Sequence, residues 1–201
     1  MRAPQDRFSV FAPHYDWFMR FFNLYRLDDI RRALAEHAPY GVLLDVAGGT
    51  GYLAATLRDM AGCVVVVDRS PGMLAIARER KLETVLASAT ALPFADASFD
   101  VVLCADALHH IREMETALDE MARVLKPGGT VLVQEFHIHG VRGMMFYLFE
   151  RLLIDHSVFV APDELREMMA RRGIAGGIRK LSGLGYLFEG IKQVNERCDH
   201  D

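Results

Sequence analysis

The chain has 201 residues, of which 51% are hydrophobic and 25% charged, and these proportions are typical of one soluble globular domain. Lysine and arginine number 23 against 27 aspartates and glutamates, a net charge of −4 that argues against a nucleic-acid-binding domain, since such domains carry a concentrated basic excess. The three cysteines have no Cys-x-x-Cys spacing, so the sequence predicts neither a disulfide framework nor a zinc site.

Aromatic residues are concentrated near the start of the chain, where eight of them lie between Phe8 and Tyr25. The spacing of Trp17, Phe21 and Tyr25 predicts a helix with a broad apolar face.

From Gly41 onward, short apolar runs alternate with segments of helical period, which predicts an α/β fold with a doubly wound parallel sheet. The runs are continuously apolar, as expected for strands buried on both faces. They are Val42 to Val46, Cys63 to Asp68, Glu83 to Ser88, Phe99 to Cys104 and Thr130 to Phe136. Helices are predicted for Tyr52 to Met60, from Ser70-Pro71, for Met114 to Leu125 and for Pro162 to Arg172. Ile174 to Leu181 and Leu184 to Gln193 are predicted as a closing pair of strands.

The most informative stretch is Leu44 to Gly51, a buried strand that runs through Asp45 into a glycine-rich turn. Such a turn lets a ligand approach bare backbone N–H groups. Asp68 ends the following strand, where a carboxylate can accept hydrogen bonds from both hydroxyls of a ribose. A nucleotide-type ligand is therefore predicted at the carboxyl ends of the strands.

Two other interpretations of the turn stay open at this point. The pattern Gly49-x-Gly51-x-x-Ala54 satisfies the loose dinucleotide fingerprint, and a glycine turn can also be purely structural. Asp45 favours a third interpretation, because its charge would repel a pyrophosphate and attract the ammonium group of an amino-acid moiety.

Four ordered stretches resemble the class I S-adenosylmethionine-dependent methyltransferases, and the resemblance covers nearly the whole chain. The stretches are Leu44 to Gly51, Val66 to Leu74, Ala89 to Leu103 and Leu125 to Val133. The Ala47 to Gly51 turn and the Phe11 to Asp16 opening resemble the ubiquinone/menaquinone-biosynthesis C-methyltransferases. The resemblance implies a Rossmann-like seven-stranded sheet with its last strand antiparallel, residues 1–40 as a helical cover, and residues 41–201 as the cofactor-binding core.

The resemblance also implies roles for individual residues toward the cofactor, S-adenosylmethionine. Asp45 and the turn would hold its methionine part and Asp68 its ribose. Met73, Ser88 and Ala89 would contact adenine, with Ser88 standing where the family commonly has an acid. The complete implied cofactor set is Tyr15, Asp45, Ala47, Gly48, Gly49, Gly51, Asp68, Arg69, Met73, Ser88, Ala89 and Cys104.

The segment after the fourth strand is where relatives place the residues nearest the transferred methyl group. If this segment is helical, Asp106 and His110 share a face, so that the acid could orient or charge the imidazole. The alternative is a stretch that merely packs the sheet, and Cys104 fits a buried hydrophobe better than a reactive thiol. Asp106, His109, His110 and His137 are the polar candidates for catalysis.

His137 and His139 follow the fifth strand and would point the same way in an extended chain. No matching third ligand is evident, so we expect a polar loop pair near substrate and no metal. A second apolar segment, Met144 to Phe159, predicts a helical insertion at about residues 140–160. Together with the N-terminal aromatics it predicts an apolar or aromatic small-molecule acceptor.

The function expected from the sequence is methyl transfer from S-adenosylmethionine to a small, largely apolar molecule. The alternatives are a non-catalytic module on the same fold and an NAD-dependent oxidoreductase. No apolar run approaches the roughly 18 residues of a membrane span, and no leader segment is recognised. We therefore expect a cytoplasmic protein, monomeric or homodimeric, without nucleic acid or stable membrane insertion.

Overall fold

The computed structural model describes residues 7–21, 26–35, 38–136, 144, 157–181 and 185–194. Its helices are α1 (Arg7–Phe21), α2 (Leu27–Ala35), α3 (Tyr52–Thr56), α4 (Pro71–Glu79), α5 (Met114–Val124) and α6 (Pro162–Ala170). Its strands are β1 (Tyr40–Val46), β2 (Ala61–Asp68), β3 (Glu83–Leu86), β4 (Phe99–Ala105), β5 (Leu125–Phe136), β6 (Ile174–Lys180) and β7 (Gly185–Lys192).

The seven strands form one sheet in the order β3-β2-β1-β4-β5-β7-β6. Strand β7 runs antiparallel to both of its neighbours, and the remaining pairs are parallel. The predicted doubly wound sheet with an antiparallel last strand is confirmed. Because β1 to β5 are parallel, their carboxyl ends meet along one edge of the sheet, with the order reversing between β1 and β4, and ligands of such folds bind at this point.

The strands bury both faces, so side chains of alternating direction enter two separate cores. Leu44 of β1 belongs to the core that packs against α5 and α6, whereas Leu43 belongs to the core beneath α2, α3 and α4. This explains why the strands are continuously apolar in sequence.

Two predicted boundaries were wrong. Helix α3 ends at Thr56 and does not reach Met60, since the Thr56 hydroxyl bonds to the Leu53 carbonyl (2.7 Å) and Arg31 donates to the Thr56 carbonyl. Strand β5 begins at Leu125, which pairs with Phe99 before the register shifts. The residues between the two registers include Gly128, whose φ is +76°.

Helix α1 is attached across the carboxyl edge of the sheet by polar contacts. The Ser9 hydroxyl accepts from the backbone N–H of Gly72 (2.9 Å) and lies 2.9 Å from the Ser70 hydroxyl. Asp16 accepts from the Thr50 hydroxyl (2.6 Å) and forms an ion pair with Arg80. Helix α1 therefore lies over the glycine turn and the start of α4. Among the described residues, no helix has the length and hydropathy needed to cross a bilayer.

Candidate active site

The glycine turn folds sharply back from the end of β1. Ala47, Gly49 and Gly51 all have positive φ, at +54°, +57° and +68°. Within the turn, the N–H of Gly48 donates to the Val67 carbonyl (3.2 Å) and the N–H of Gly51 to the Gly48 carbonyl (2.9 Å). Left-handed backbone of this kind suits glycine, and it brings the turn against the end of β2.

Asp68, at the end of β2, is held by two backbone N–H groups. Its Oδ2 accepts from Gly49 (2.9 Å) and its Oδ1 from Ser70 (2.7 Å). Ser70 is also the N-cap of α4, so one carboxylate joins the glycine turn to the start of the next helix. Because a carboxylate oxygen can accept more than one hydrogen bond, this arrangement is compatible with ribose hydroxyl donors.

Asp45 lies beneath the turn and is 1% exposed. Its Oδ2 has no hydrogen-bond partner within the described part of the chain. Burial raises the pKa of Asp45 to about 8, and the nearby charge of Asp68 contributes to the rise. The carboxyl group is therefore protonated at neutral pH in the ligand-free protein.

Replacing Asp45 with asparagine should reduce the pH dependence of stability. Unfolded Asp45 ionises near its ordinary value of 3.8, whereas the folded state keeps the proton to about pH 8. Between these values the native chain loses stability as pH rises, by up to about 1.4 kcal/mol per pH unit. Asparagine does not titrate, so the variant lacks this loss. The free energy of unfolding of the variant, relative to that of the native chain, should therefore increase from about pH 5 to pH 8. Urea denaturation at each pH measures it.

Asp59→Asn is the matched control for this experiment. Asp59 is a surface residue paired with Arg31 at 2.6 Å, and the hydrogen bond from Arg31 lowers its pKa. Its carboxylate is ionised in both folded and unfolded states above about pH 5, so the stability difference from the native chain should stay constant. If the free energies of unfolding of Asp45→Asn and of the native chain changed in parallel with pH, Asp45 would not be protonated in the folded state.

A cavity of about 300 Å³ opens beside the turn, at the carboxyl ends of β1, β2, β3 and β4. Ten of the predicted site residues line it: Tyr15, Ala47, Gly49, Asp68, Arg69, Met73, Ser88, Ala89, Asp106 and His110. The structure thus brings residues from the start of the chain and from four separate strand ends into one chamber.

Other predicted residues lie near this cavity without lining it. Asp45 lies beneath the turn, and Gly48 is within it but does not line the cavity. Gly51 faces Leu82 and Ala77, which would be 2.4 Å and 3.2 Å from an added Cβ. Cys104 is wholly buried in the core against α5 and α6, and this burial raises the pKa of its thiol. Its side chain is therefore part of the core.

The segment after β4 is not an α-helix, so the condition under which Asp106 and His110 would share a helix face is not met. Asp106 has a φ of +52°, and only Leu108–His110 form a single 3-10 turn. Gln134 of β5 holds the bend, because its side-chain amide donates to Asp106 Oδ2 (2.8 Å) and its carbonyl accepts the Asp106 N–H (3.0 Å). Asp106 and His110 share the cavity, but a helix face is not what brings them there.

His109 was predicted to face the acceptor, and its side chain is instead 1% exposed and absent from the cavity wall. Its ring stacks on Phe159 at 4.7 Å and 15°. His110 does line the cavity, where its ring meets Phe8 edge-on at 5.5 Å and its Nδ1 lies 3.4 Å from the Ser157 hydroxyl.

Seven cavity residues were not among the predicted site residues: Phe8, Ala87, Thr90, Ala107, Ile111, Arg112 and Glu113. Phe8 belongs to the N-terminal aromatic group, and the others follow the ends of β3 and β4. Their position just beyond a strand end was the available signal, since ligands of open α/β sheets bind there.

The predicted histidine pair and insertion fall outside the described residues. His137, His139 and residues 140–143 and 145–156 of the predicted insertion lie outside the described residues. Within the residues that are described, no group of three or more His, Cys, Asp or Glu side chains could hold a metal ion.

The sequence and the fold are both similar to those of known methyltransferases. Residues 44–133 match the family model described as a methyltransferase domain. The chain is 36% identical to demethylmenaquinone methyltransferase of Thermus thermophilus, over 84% of this chain and 91% of that protein. It is 34% identical to the demethylmenaquinone methyltransferase of Deinococcus radiodurans, over 96% of this chain and 93% of that protein. A solved methyltransferase from Thermotoga maritima shares the fold with a TM-score of 0.77 at 23% identity, covering 93% of this chain and 99% of that one.

Proposed function

The chain belongs to the class I S-adenosylmethionine-dependent methyltransferases of the ubiquinone/menaquinone-biosynthesis type, and we propose that its acceptor is the reduced ring of a quinone-type molecule. Its activity is methyl transfer and its cofactor is S-adenosylmethionine. Family membership decides against an NAD-dependent oxidoreductase and a non-catalytic module.

The residues that line the cavity fit the cofactor in their chemistry. The Asp68 carboxylate, fixed by two backbone N–H groups, would receive the ribose hydroxyls. Apolar surface from Met73 and Ala89, with the Ser88 hydroxyl beside it, would hold adenine. Arg69 and Tyr15 would complete this end of the cavity.

The methionine part would lie along Ala47 and Gly49, where the turn presents bare backbone. Asp45 supports this assignment from behind, because its Oδ2 is a buried polar atom without a partner in the described chain. A buried polar atom of this kind is stabilised by a hydrogen-bond partner, and the α-ammonium group is a donor that would favour the ionised form of Asp45. Gly48 and Gly51 do not line the cavity, and their role would be to allow the conformation of the turn.

One observation carries the acceptor proposal: the residues assigned to the cofactor and a set of apolar and aromatic side chains line the same cavity. Phe8, Ala107 and Ile111 provide apolar and aromatic walls, and Asp106 and His110 place two polar groups between them. An aromatic ring carrying hydroxyl groups satisfies both features. The curated relatives act, by name, on demethylmenaquinone, which is such a molecule when reduced.

When bound, the cofactor supplies an activated methyl group on a positively charged sulfur. The residues of this chain have to align the acceptor and take up the proton that its ring carbon loses. His110 is the histidine at the cavity, and if its Nδ1 bonds to Ser157, proton uptake must use Nε2. Alignment supplies much of the rate in a direct displacement, so we assign His110 a supporting role as hydrogen-bond partner and base.

The proposal is tested with dithionite-reduced demethylmenaquinone and methyl-labelled cofactor. We expect label in the quinol product, with the added mass of one methyl group on the ring. Oxidised quinone should remain unlabelled, since its ring carbon is not nucleophilic. Protein that binds S-adenosylhomocysteine in calorimetry but labels neither this quinol nor 1,4-dihydroxynaphthalene would overturn the acceptor assignment.

Replacing His110 with glutamine should separate acceptor turnover from cofactor binding. We expect kcat for the reduced quinone to fall about tenfold, which corresponds to one lost hydrogen bond. Affinity for S-adenosylhomocysteine should stay within about twofold of native, because its contacts come from β1, β2 and β3. Glutamine at the exposed His14 of α1 is the control. Equal loss of binding and turnover would argue against the role of His110.

A further inference from the structure

The buried carboxylate of Glu135 lies outside the cavity, yet it contacts the segment that carries the acceptor-side residues. Glu135 is the penultimate residue of β5, and its side chain is 1% exposed. Its Oε1 accepts from the backbone N–H of Leu108 (2.7 Å) and of His109 (3.3 Å). Its Oε2 lies 2.6 Å from His109 Nδ1. Burial of a carboxylate is unfavourable unless such partners compensate it.

These contacts assign the hydrogen-bond roles of Glu135 and His109. Oε1 already accepts two backbone N–H groups, and an acceptor at Oε2 requires a donor on the ring. The Nδ1 atom of His109 is therefore the donor in this contact. Phe159 stacks on the imidazole at 4.7 Å and Phe136 meets it at 5.9 Å, so the ring is confined on several sides.

His109 in turn contacts two parts of the chain next to the cavity, its neighbour His110 and the segment that begins at Ser157. Its ring centroid lies 3.9 Å from that of His110, and its carbonyl accepts the N–H of Val158 (2.8 Å). Ser157, which contacts His110 Nδ1 at 3.4 Å, is the residue before Val158. Glu135 and His109 therefore hold His110 in place in two ways: through the adjacent ring of His109, and through the 157–160 segment, which carries Ser157.

We infer that Glu135 is a positioning residue for methyl transfer, holding His109 and through it His110 against the acceptor. Gln134 does the same for Asp106 from the adjacent position of β5. This inference rests on the proposed acceptor site, and it assigns two consecutive residues of β5 to the geometry of that site. Neither residue lines the cavity.

Glu135→Gln tests the inference because it keeps the size of the side chain and removes its charge. The amide oxygen can still accept from Leu108 and His109, but the amide N–H then faces His109 Nδ1, which can accept it only if the ring proton moves to the other ring nitrogen. We expect the low-field Nδ1–H proton signal of His109 to disappear and amide hydrogen exchange at Leu108 and His109 to accelerate. Neither readout requires an acceptor, so both remain informative if the proposed quinone is wrong.

Kinetics supply the second half of the test. We expect kcat with dithionite-reduced demethylmenaquinone to fall about tenfold through misplacement of His110, with affinity for S-adenosylhomocysteine unchanged. Glu189→Gln on β7, which removes an exposed pair with Arg179, should change none of these quantities. An intact Nδ1–H signal with native exchange would overturn the inference. A parallel fall in cofactor affinity would also overturn it, by showing a general structural role.

Discussion

Replacing Asp68 with alanine is expected to weaken binding of S-adenosylhomocysteine by about 100-fold, or close to 3 kcal/mol. Two losses combine in this variant. Under the proposed assignment, the ribose hydroxyls would lose their acceptor. The N–H groups of Gly49 and Ser70 also lose the carboxylate that joins the turn to α4. Isothermal titration calorimetry measures the affinity, and thermal unfolding shows whether the fold persists.

Asp68→Asn separates the two losses. The amide oxygen can still accept from one of the two N–H groups, but the amide nitrogen faces a donor at the other, so affinity should fall between native and alanine values. Asp163→Ala, at the exposed start of α6, serves as the control with native affinity. Native affinity in Asp68→Ala would refute the ribose assignment, whatever the stability of the variant.

The sheet and the cofactor end of the cavity were predictable because local signals determine them. A strand buried on both faces needs a continuous apolar run, as in Val64 to Val67. The end of that run placed Asp68, and the positive φ of Gly49 and Gly51 explains the glycines of the turn. These features depend on a few adjacent residues, so the sequence contains enough information to recognise them.

The acceptor end was less predictable because distant residues determine its backbone. The segment from Asp106 to His110 has no strong local preference, and helical spacing suggested a face that does not exist. Gln134 and Glu135, almost thirty residues later, bend the chain at Asp106 and bury His109. Only the pairing of β4 with β5 brings these residues together, and no local pattern encodes that contact.

Asp45 shows a further limit of sequence reasoning. Its charge was the argument against a pyrophosphate ligand, yet burial raises its pKa to about 8, so the group is neutral in the ligand-free protein at pH 7. Under the proposed assignment, binding of the ammonium group would therefore include ionisation of Asp45. Residue type suggests a charge at this position, whereas the protonation state depends on burial.

Gly48 is a residue of the turn where a single added methyl group should be strongly destabilising. A Cβ at this position would lie 2.5 Å from both Cγ and Oδ2 of Asp45, and 3.0 Å from its Oδ1. Asp45 is 1% exposed and has little room to move. Gly48→Ala should therefore displace either the turn or the buried carboxyl, with a loss of about 1 to 3 kcal/mol in free energy of unfolding. The affinity for S-adenosylhomocysteine should fall by about 100-fold or more, because the ligand would contact the backbone N–H groups of the turn and depends on their position.

A double-mutant cycle identifies the clash as the cause. In an Asp45→Ala background the carboxyl is gone, so Gly48→Ala should lose much less stability there than in the native chain, a difference of about 1 kcal/mol or more. Gly177→Ala on β6, where an added Cβ meets nothing within 4 Å, controls for the glycine-to-alanine change itself. Equal losses in the two backgrounds would show that the turn rejects a side chain for reasons other than Asp45. Since Asp45→Ala removes the ammonium partner too, cofactor affinity should not recover in the double variant, even though stability does.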